Sequence, residues 1–368
     1  MKNKKLVIGL PIVLIFSLFA FLHLSSEKTY NMRWVAAHNP TNRPVIEMTQ
    51  KAASNIERLS QGRIKIEVVA YGNDKVRRHQ SAIDEVLSGT ATLAQVDAGE
   101  LRRFSTKMDV LNMPFLLNSH ERVRAVINGS VGEQLIDAVE AGSDGVLRIM
   151  GFTYSGGFRV MYGATAVNSL ADLKGKKSII SGPDPVQKYY KSLGVEFISG
   201  GPFTRANSIS LHENGQIDIE DSELNRLYVL TQDYPGHIKN IKFVSETNHL
   251  FYLTTLLANS SYLNALPSDL REIFEKEVAA LAEAERSFSI EQAKLSKLYL
   301  IENGVQWVSL SNQNLKKFEE HSLAFRKSYD SELGPLIAEI EAIQEPPQVK
   351  PHALEPAKKA RRKLSQNN

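Results

Sequence analysis

The chain of 368 residues is long enough to fold as two domains that each have a hydrophobic core. Its 44 basic and 41 acidic side chains give a formal net charge of +3, which is too small to indicate a nucleic-acid partner. Cysteine is absent, so a disulfide framework, a thiol nucleophile and a cysteine-ligated metal site are excluded.

The N-terminal residues have the pattern of an export signal. Lysines near the N-terminus precede an apolar run at residues 6–24, as in secretory signal peptides. The run is also nearly long enough to span a bilayer, and the small residues of a cleavage site are matched poorly at 24–26. Residues 1–27 are therefore predicted to be either a cleaved signal peptide or an uncleaved N-terminal anchor. Both alternatives place the remainder of the chain outside the cytoplasm.

Strands and helices are predicted to alternate from residue 32 onward. The predicted elements are a strand at 32–37, a helix at 45–59, a strand at 63–69, a helix at 77–88 and a strand at 92–96. A second unit begins near residue 156, with a short helix before Gly175, a strand at 178–180, a helix at 185–193 and a return strand at 250–257. Such alternation is typical of an α/β domain with a parallel sheet.

Residues 267–302 form one long helical pattern, in which apolar side chains recur every three or four positions. A helix of this length would extend over about 50 Å, which is more than one small domain. The alternative is two helices with a break near Arg286 and Ser287, because uncapped patterns longer than about 25 residues are unusual. The proline-rich, basic composition of residues 345–368 predicts a disordered tail.

Five segments resemble, in the same order, segments of the solute receptors of tripartite ATP-independent periplasmic (TRAP) transporters. They read SQGRIKIEV at residues 60–68, VLNMPFLL at 110–117, GFR at 157–159, LADLKGKK at 170–177, and TNH at 247–249 followed by LPSDL at 266–270. Each motif is weak alone. Together, in this order, they indicate the dicarboxylate-receptor-like family of TRAP solute-binding proteins.

The resemblance implies a two-lobe periplasmic binding protein fold of the α/β class, with hinge strands and a long helix that spans both lobes. Lobe one would hold residues 31–156 and about 246–285, and lobe two would hold 157–245 and about 286–340. The lobes would close on a small organic anion and deliver it to the membrane subunits of a TRAP transporter. The resemblance implies no cofactor.

The residues that hold the ligand in this family are only partly retained. After LADLKGKK the family carries an arginine that grips the ligand carboxylate, whereas this chain has Ile179, which cannot form charged hydrogen bonds. Arg159 matches a second family arginine and is the main predicted cationic contact, with a structural ion pair as the alternative. Arg205 replaces a family glutamate and is either a substitute clamp or a solvated helix residue. Ser222 replaces the ligand-binding asparagine.

Other candidate ligand contacts lie near the ends of predicted elements, because parallel strands direct their carboxyl ends toward the cleft. Asp97 follows a strand and either accepts hydrogen bonds from the ligand or only forms a turn. His38 and Asn39 follow the first strand. Phe203 either stacks on the ligand or packs in the core, and Asn248 has a contact role or a hinge role.

Catalytic and metal-binding classes are disfavoured, because the GxSxG, HExxH and P-loop patterns are absent. The acidic cluster of Asp218, Glu220 and Asp221 could bind a hard cation, but a solvated acidic turn is the favoured interpretation. An enzyme is therefore the least favoured function.

The missing clamp arginine keeps two alternatives to an organic-anion receptor open. One is a receptor for a neutral or apolar ligand, which Ile179 would suit. The other is a receptor-like sensory or interaction protein that its N-terminal segment attaches to the membrane.

Overall fold

A computed structural model of the chain describes residues 28–36, 43–70, 81–179, 182–198 and 205–344, with the backbone alone at 43, 155 and 205–207. The predicted export segment at 1–27 and the predicted tail at 345–368 lie outside these residues. Among the residues described, no helix is long and apolar enough to cross a membrane.

Strands within the described residues form one large mixed sheet and one small parallel pair. In chain order they are β1 (Tyr30–Ala36), β2 (Ile64–Ala70), β3 (Leu93–Asp97), β4 (Leu147–Gly163), β5 (Lys177–Ser178), β6 (Glu196–Phe197), β7 (Ile219–Glu223), β8 (Phe243–Glu246), β9 (Phe251–Asn259) and β10 (Gln306–Ser309). The large sheet has the order β10-β8-β4-β9-β3-β1-β2, with β7 also paired to β4, while β5 pairs with β6. Strand β1 runs parallel to both β2 and β3, as the alternation of strands and helices predicted.

The α-helices cover both faces of this sheet. They are α1 (Arg43–Leu59), α2 (Ala82–Leu87), α3 (His120–Ile127), α4 (Ser130–Gly142), α5 (Asp184–Ser192), α6 (Arg205–Glu213), α7 (Leu224–Asp233), α8 (Ser260–Ala265), α9 (Ser268–Glu302), α10 (Asn312–Arg326) and α11 (Asp330–Glu341). Local chemistry sets several of their starts. For example, the Ser119 hydroxyl accepts the N–H of Arg122 at 3.0 Å and caps α3.

Most predicted elements agree with the structure apart from their ends. The helix predicted at 77–88 is the shorter α2, and part of the predicted range lies in the undescribed residues 71–80. The strand predicted at 178–180 is β5, which ends at Ser178. Sequence periodicity locates elements well and their termini poorly, because caps and tertiary contacts determine where an element ends.

Strand β4 connects the two halves of the large sheet. Its first part, up to Phe158, pairs with β9, and its last part, from Arg159, pairs with β7 and β8. A register shift lies between Tyr154 and Gly157, where the strand passes from one half to the other. Irregularities of this kind bend a strand and increase its twist, so β4 is suited to join two units that face each other.

Helix α9 is continuous over 35 residues, which confirms the single-helix prediction and excludes a break at Arg286 and Ser287. Its first turns bury Leu270 and Phe274 in a core shared with β1. Near its other end Leu300 packs in a separate core with residues of β4 and α7. The helix therefore crosses from one half of the molecule to the other.

Helix α11 departs from the predicted division into lobes. Leu333 and Ile337 are buried in the same core as Val96 of β3 and Leu257 of β9. Lobe two was expected to include about 286–340. By its packing α11 groups with β3 and β9, which the same predicted division places in lobe one. The rest of the division stays a prediction.

Gly156 occupies the irregular part of β4 and has a φ of +123°. A Cβ atom there would lie 2.2 Å from Cγ of Glu223 and 2.7 Å from its Cβ. Gly156→Ala is therefore expected to lower the free energy of unfolding by about 2 kcal/mol, since backbone strain and overpacking act together. Urea denaturation measures this loss. Gly236→Ala is the control, because a Cβ there meets nothing within 4 Å, and equal losses for the two variants would contradict the steric argument.

Candidate ligand-binding site

Arg159 lies where the two halves of the sheet meet, and two acidic side chains of β7 hold it. Its Nε donates to Oδ2 of Asp221 at 2.5 Å, and its Nη2 donates to the backbone oxygen of Asp221 at 3.1 Å. Its Nη1 lies 3.5 Å from Oε2 of Glu223. These contacts follow from the antiparallel register, which places Arg159 opposite Glu223. Among the described residues these contacts use one N–H on each guanidinium nitrogen, so one N–H on Nη1 and one on Nη2 remain there.

Tyr252 links Arg159 to the end of β3. The guanidinium carbon of Arg159 lies 5.6 Å from the centroid of the Tyr252 ring. The Tyr252 hydroxyl donates to Oδ2 of Asp97 at 3.1 Å, and Oδ1 of Asp97 accepts the N–H of Gly99 at 2.8 Å. Burial, with the Asp97 charge beside it, raises the pKa of Tyr252 well above its ordinary value. Tyr252 therefore remains protonated and continues to donate to Asp97.

Asp221 is held from behind by a second buried network. Its Oδ2 lies 3.5 Å from Nε2 of His249, which lies 2.7 Å from the Tyr190 hydroxyl. Burial alone would raise the pKa of Asp221, but the Arg159 charge and the hydrogen bonds from His249 and Arg159 hold it well below its ordinary value. Burial lowers the pKa of His249, despite the opposing effect of Asp221. An ionised Asp221 beside a neutral His249 is the expected state at neutral pH.

The formal charge around Arg159 is negative rather than positive. The side chains of Asp221 and Glu223 are 3% and 2% exposed, and that of Arg159 is 14% exposed. The two carboxylates outnumber the one guanidinium, and Asp97 adds a further acidic group on the other side of Tyr252. This arrangement can donate two N–H groups to an anion and can accept hydrogen bonds from hydroxyl or amine groups.

The structure brings together only part of the predicted site. Asp97 and Arg159 lie on either side of Tyr252, as described above. Ser222 is paired in register with Val160 and lies on the face of β7 opposite to Asp221, because successive residues of a strand alternate. Asn248 has a φ of +47° in the connection between β8 and β9, a conformation that asparagine tolerates. The ligand-binding roles of these residues stay predictions.

Four predicted residues cannot be placed in the same detail. His38, Asn39 and Phe203 lie outside the described residues, and of Arg205, the first residue of α6, only the backbone is described.

Two residues of the acidic cluster, Glu220 and Asp221, have buried side chains on β7, so the interpretation as a solvated turn was wrong for them. The third, Asp218, precedes β7 and is half-buried. Glu220 is 5% exposed. It accepts hydrogen bonds from Tyr162 at 2.5 Å and from Ser208 at 2.8 Å, and it lies 3.0 Å from Nε2 of His212. Asp221, on the other face, pairs with the guanidinium described above. Carboxylates can be buried here because donors from other elements meet them. In the described part of the chain, no group of three His, Asp or Glu side chains could hold a metal ion.

Sequence reasoning did not identify Tyr252 and Tyr190 as parts of the site. Tyr252 lies in a strand that was predicted, but nothing local indicates that β9 pairs with β3 beside Asp97. Tyr190 lies in α5, and its contact with His249 joins residues far apart in the chain. The available signal was a tyrosine hydroxyl within a buried element, which usually needs a partner.

The family model for bacterial extracellular solute-binding proteins of family 7 matches residues 35–332. The chain belongs to this family. The resemblance to TRAP receptors is thereby confirmed, and so is the prediction that the chain is not an enzyme, because the family binds solutes for transport. Its members act outside the cytoplasm.

Curated and solved relatives are distant in sequence. The C4-dicarboxylate-binding protein DctB of Bacillus subtilis is 24% identical over 189 residues, which are 51% of this chain and 51% of that protein. The match thus spans about half the length of this curated relative.

Solved structures show the fold more completely. The TRAP periplasmic solute-binding protein of Pseudomonas putida F1, with bound D-glucuronate, has a TM-score of 0.72 at 22% identity and covers 86% of this chain and 99% of its own. The corresponding protein of Shewanella oneidensis, with bound succinate, has a TM-score of 0.70 at 16% identity and covers 86% of this chain and 98% of its own. These likenesses confirm the predicted two-lobe α/β fold.

Proposed function

We propose that this protein is the periplasmic solute-binding receptor of a TRAP-type secondary transporter. It captures a small organic anion with at least one carboxylate by closing its two lobes, and it passes the anion to the transporter's membrane subunits. Residues 1–27 either are removed on export or attach the receptor to the inner membrane. The observation that carries the proposal is Arg159, which is fixed between the two halves of the sheet and has two N–H groups that no described residue uses.

The geometry of Arg159 suits carboxylate recognition. Asp221 fixes the plane of the guanidinium from one edge, so the remaining N–H groups have a set direction. A planar guanidinium can donate two hydrogen bonds to one carboxylate. Because Asp221 and Tyr252 already position the side chain, a ligand would lose little affinity to the ordering of Arg159.

Contacts between the two halves support closure as the mechanism. A Cβ atom on Gly99, which follows β3, would lie 3.5 Å from Cγ of Pro183, which precedes α5. The turn after β3 and the start of α5 thus meet at close range, as expected of a cleft that closes around a small ligand.

Thermal unfolding of the exported protein tests the proposal. The panel comprises D-glucuronate, D-galacturonate, D-galactonate and succinate, with D-glucose as a neutral compound. A ligand of the folded state alone should add about 2.7 kcal/mol of stability at 100 times its Kd. At least one acid is therefore expected to raise the melting temperature, and D-glucose is not.

Arg159→Lys tests the contact itself. It keeps the charge beside Asp221 and loses the planar fork, so affinity for the acid is expected to fall about tenfold or more. Arg148→Lys is the matched control, because Arg148 lies on the same strand and is exposed. An unchanged affinity of the Arg159→Lys variant for the acid would show that Arg159 does not contact the ligand.

A receptor for a neutral or apolar ligand is the second candidate. Ile179, which directly follows β5 and is half-buried, favours it together with the negative formal charge around Arg159. A melting shift with a neutral compound and none with any acid would support this candidate. No shift with either class would support a sensory or interaction role instead.

A further inference from the structure

Among the described residues, three carboxylates lie around the one guanidinium of the candidate site. Asp221 and Glu223 both contact Arg159, and Asp97 lies on the other side of Tyr252. A ligand that carried carboxylates alone would add negative charge where the described residues already have an excess of it. A ligand that also carried a positive group would offset this excess.

Hydrogen bonds distinguish the three carboxylates from one another. Both oxygens of Asp97 accept a hydrogen bond, at 2.8 and 3.1 Å. Asp221 accepts the shortest bond of Arg159, at 2.5 Å. The Oε2 atom of Glu223 lies 3.5 Å from Nη1 of Arg159, which is longer than an ordinary N–H···O bond. Its Oε1 has no donor within the described part of the chain, so Glu223 is the least compensated of the three.

The Glu223 side chain is buried at a fixed place beside Arg159. It is 2% exposed, and the register of β4 and β7 pairs it with Arg159. Gly156 leaves the space that this side chain fills, because a Cβ atom there would lie 2.2 Å from Cγ of Glu223. Glu223 is the N-cap residue of α7, but its side chain makes no capping hydrogen bond. A buried carboxylate needs a cation or several donors, and the described residues give Glu223 only a share of Arg159.

We infer, on the basis of the proposed function, that the ligand is an α-amino acid whose ammonium group binds Glu223 while its carboxylate binds Arg159. Nη1 of Arg159 and Oε2 of Glu223 are 3.5 Å apart, so a donor and an acceptor of the site are neighbours. The ammonium and the carboxylate of an α-amino acid are separated by one carbon atom, and they can meet such a pair side by side. The ammonium supplies the second positive charge, and Asp221 continues to fix the guanidinium.

Isothermal titration calorimetry with matched ligand pairs tests this inference. The pairs are succinate with L-aspartate, and D-galactonate with 2-amino-2-deoxy-D-galactonate. In each pair an ammonium group replaces a hydrogen atom or a hydroxyl group next to a carboxylate. At least one amino compound is expected to bind wild type about 10- to 100-fold more tightly than its partner acid, because it adds a charged hydrogen bond.

Glu223→Gln shows which residue receives the ammonium. The variant should remove the preference by weakening the amino compound, and it should leave the partner acid unchanged or more tightly bound, because a negative charge is lost. A residue that only supported the fold would affect both members of a pair alike. Glu213→Gln, at the exposed end of α6, is the matched control and should preserve the preference.

The outcomes separate this inference from the proposed function. If wild type binds neither an amino compound nor any acid of the melting panel, the proposed function fails. If it binds an acid of that panel at least as tightly as either amino compound, the inference fails and the function stands. The inference is also overturned if Glu223→Gln keeps the preference or weakens both members of a pair alike. The wild-type comparison requires no variant, so it remains valid where Glu223→Gln does not fold.

Discussion

Asp221→Ala is expected to lower the free energy of unfolding by about 3–5 kcal/mol, because it leaves a buried guanidinium without its main partner. Arg159 is 14% exposed, and its shortest contact is the 2.5 Å hydrogen bond to Asp221. The substitution removes that bond and the group that His249 faces on the other side. Glu223, at 3.5 Å, is a weaker substitute.

Urea denaturation of the ligand-free protein measures this loss. Asp137→Ala is the matched control, because Asp137 is exposed on α4, and a change within about 0.5 kcal/mol is expected for it. The double variant Arg159→Leu with Asp221→Leu should be less destabilised than the single Asp221→Ala variant, because it leaves no unpaired charge of this pair. If Asp221→Ala were as stable as Asp137→Ala, the burial of the Arg159 charge would not depend on its hydrogen bond to Asp221.

The fold was largely predictable because its elements have strong local signals. Strict alternation at 63–69 located β2, and regular apolar spacing located α9 as one helix. The position of α11 was not predictable in this way. Its apolar side chains indicate burial, but nothing in its sequence says which of the separate hydrophobic cores it joins.

For the site, the sequence allowed individual residues to be predicted but not the contacts between them. Asp97 and Arg159 were recognised from their positions at strand ends and in a family motif. Their connection through Tyr252 depends on β9 lying between β3 and β4. Likewise, the contact of Arg159 with Asp221 depends on the pairing of β4 with β7. Strand order and register depend on residues far apart in the chain, so a local sequence pattern does not reveal them. They nevertheless determine which partners a charged residue meets, and this is why residues that looked solvated in the sequence are buried and paired in the structure.

Two elements that cross the molecule connect this site to the rest of the structure. Strand β4 carries Arg159 immediately after its irregular segment, and α9 packs against both cores. A change in the angle between the lobes would therefore act on the backbone next to Arg159. In the mechanism proposed above, Arg159 as ligand contact and the irregular part of β4 as hinge would be neighbours, and this would couple ligand capture to closure without a separate signalling element.

The second large effect on stability is expected from a buried carboxyl group, that of Glu285 in the middle of α9. Glu285 is 1% exposed, and its Oε1 accepts a hydrogen bond from Nε2 of Gln95 at 2.6 Å. Its Oε2 has no hydrogen-bond partner in the described part of the chain. Burial raises the pKa of Glu285 to about 8, although the bond from Gln95 opposes the rise. In the unfolded chain the same group titrates near 4.5.

Glu285→Gln is therefore expected to make the protein more stable at alkaline pH and to flatten its pH dependence. Between the unfolded and folded pKa values the native state holds a proton that the unfolded state has released. The stability contribution of Glu285 is thus complete below about pH 4.5 and is lost as pH rises through about 8, by up to about 1.4 kcal/mol per pH unit. Glutamine cannot titrate, and its amide oxygen can still accept the bond from Gln95.

Urea denaturation of wild type and Glu285→Gln at intervals from pH 5 to pH 9 measures the difference. The advantage of the variant should grow steadily with pH up to about 8 and then level off, because the folded group is ionised above its pKa. Glu272→Gln, at an exposed position of the same helix, should follow wild type throughout. A constant difference between Glu285→Gln and wild type over this range would mean that Glu285 titrates alike in both states. The burial of its carboxyl group would then carry no electrostatic cost.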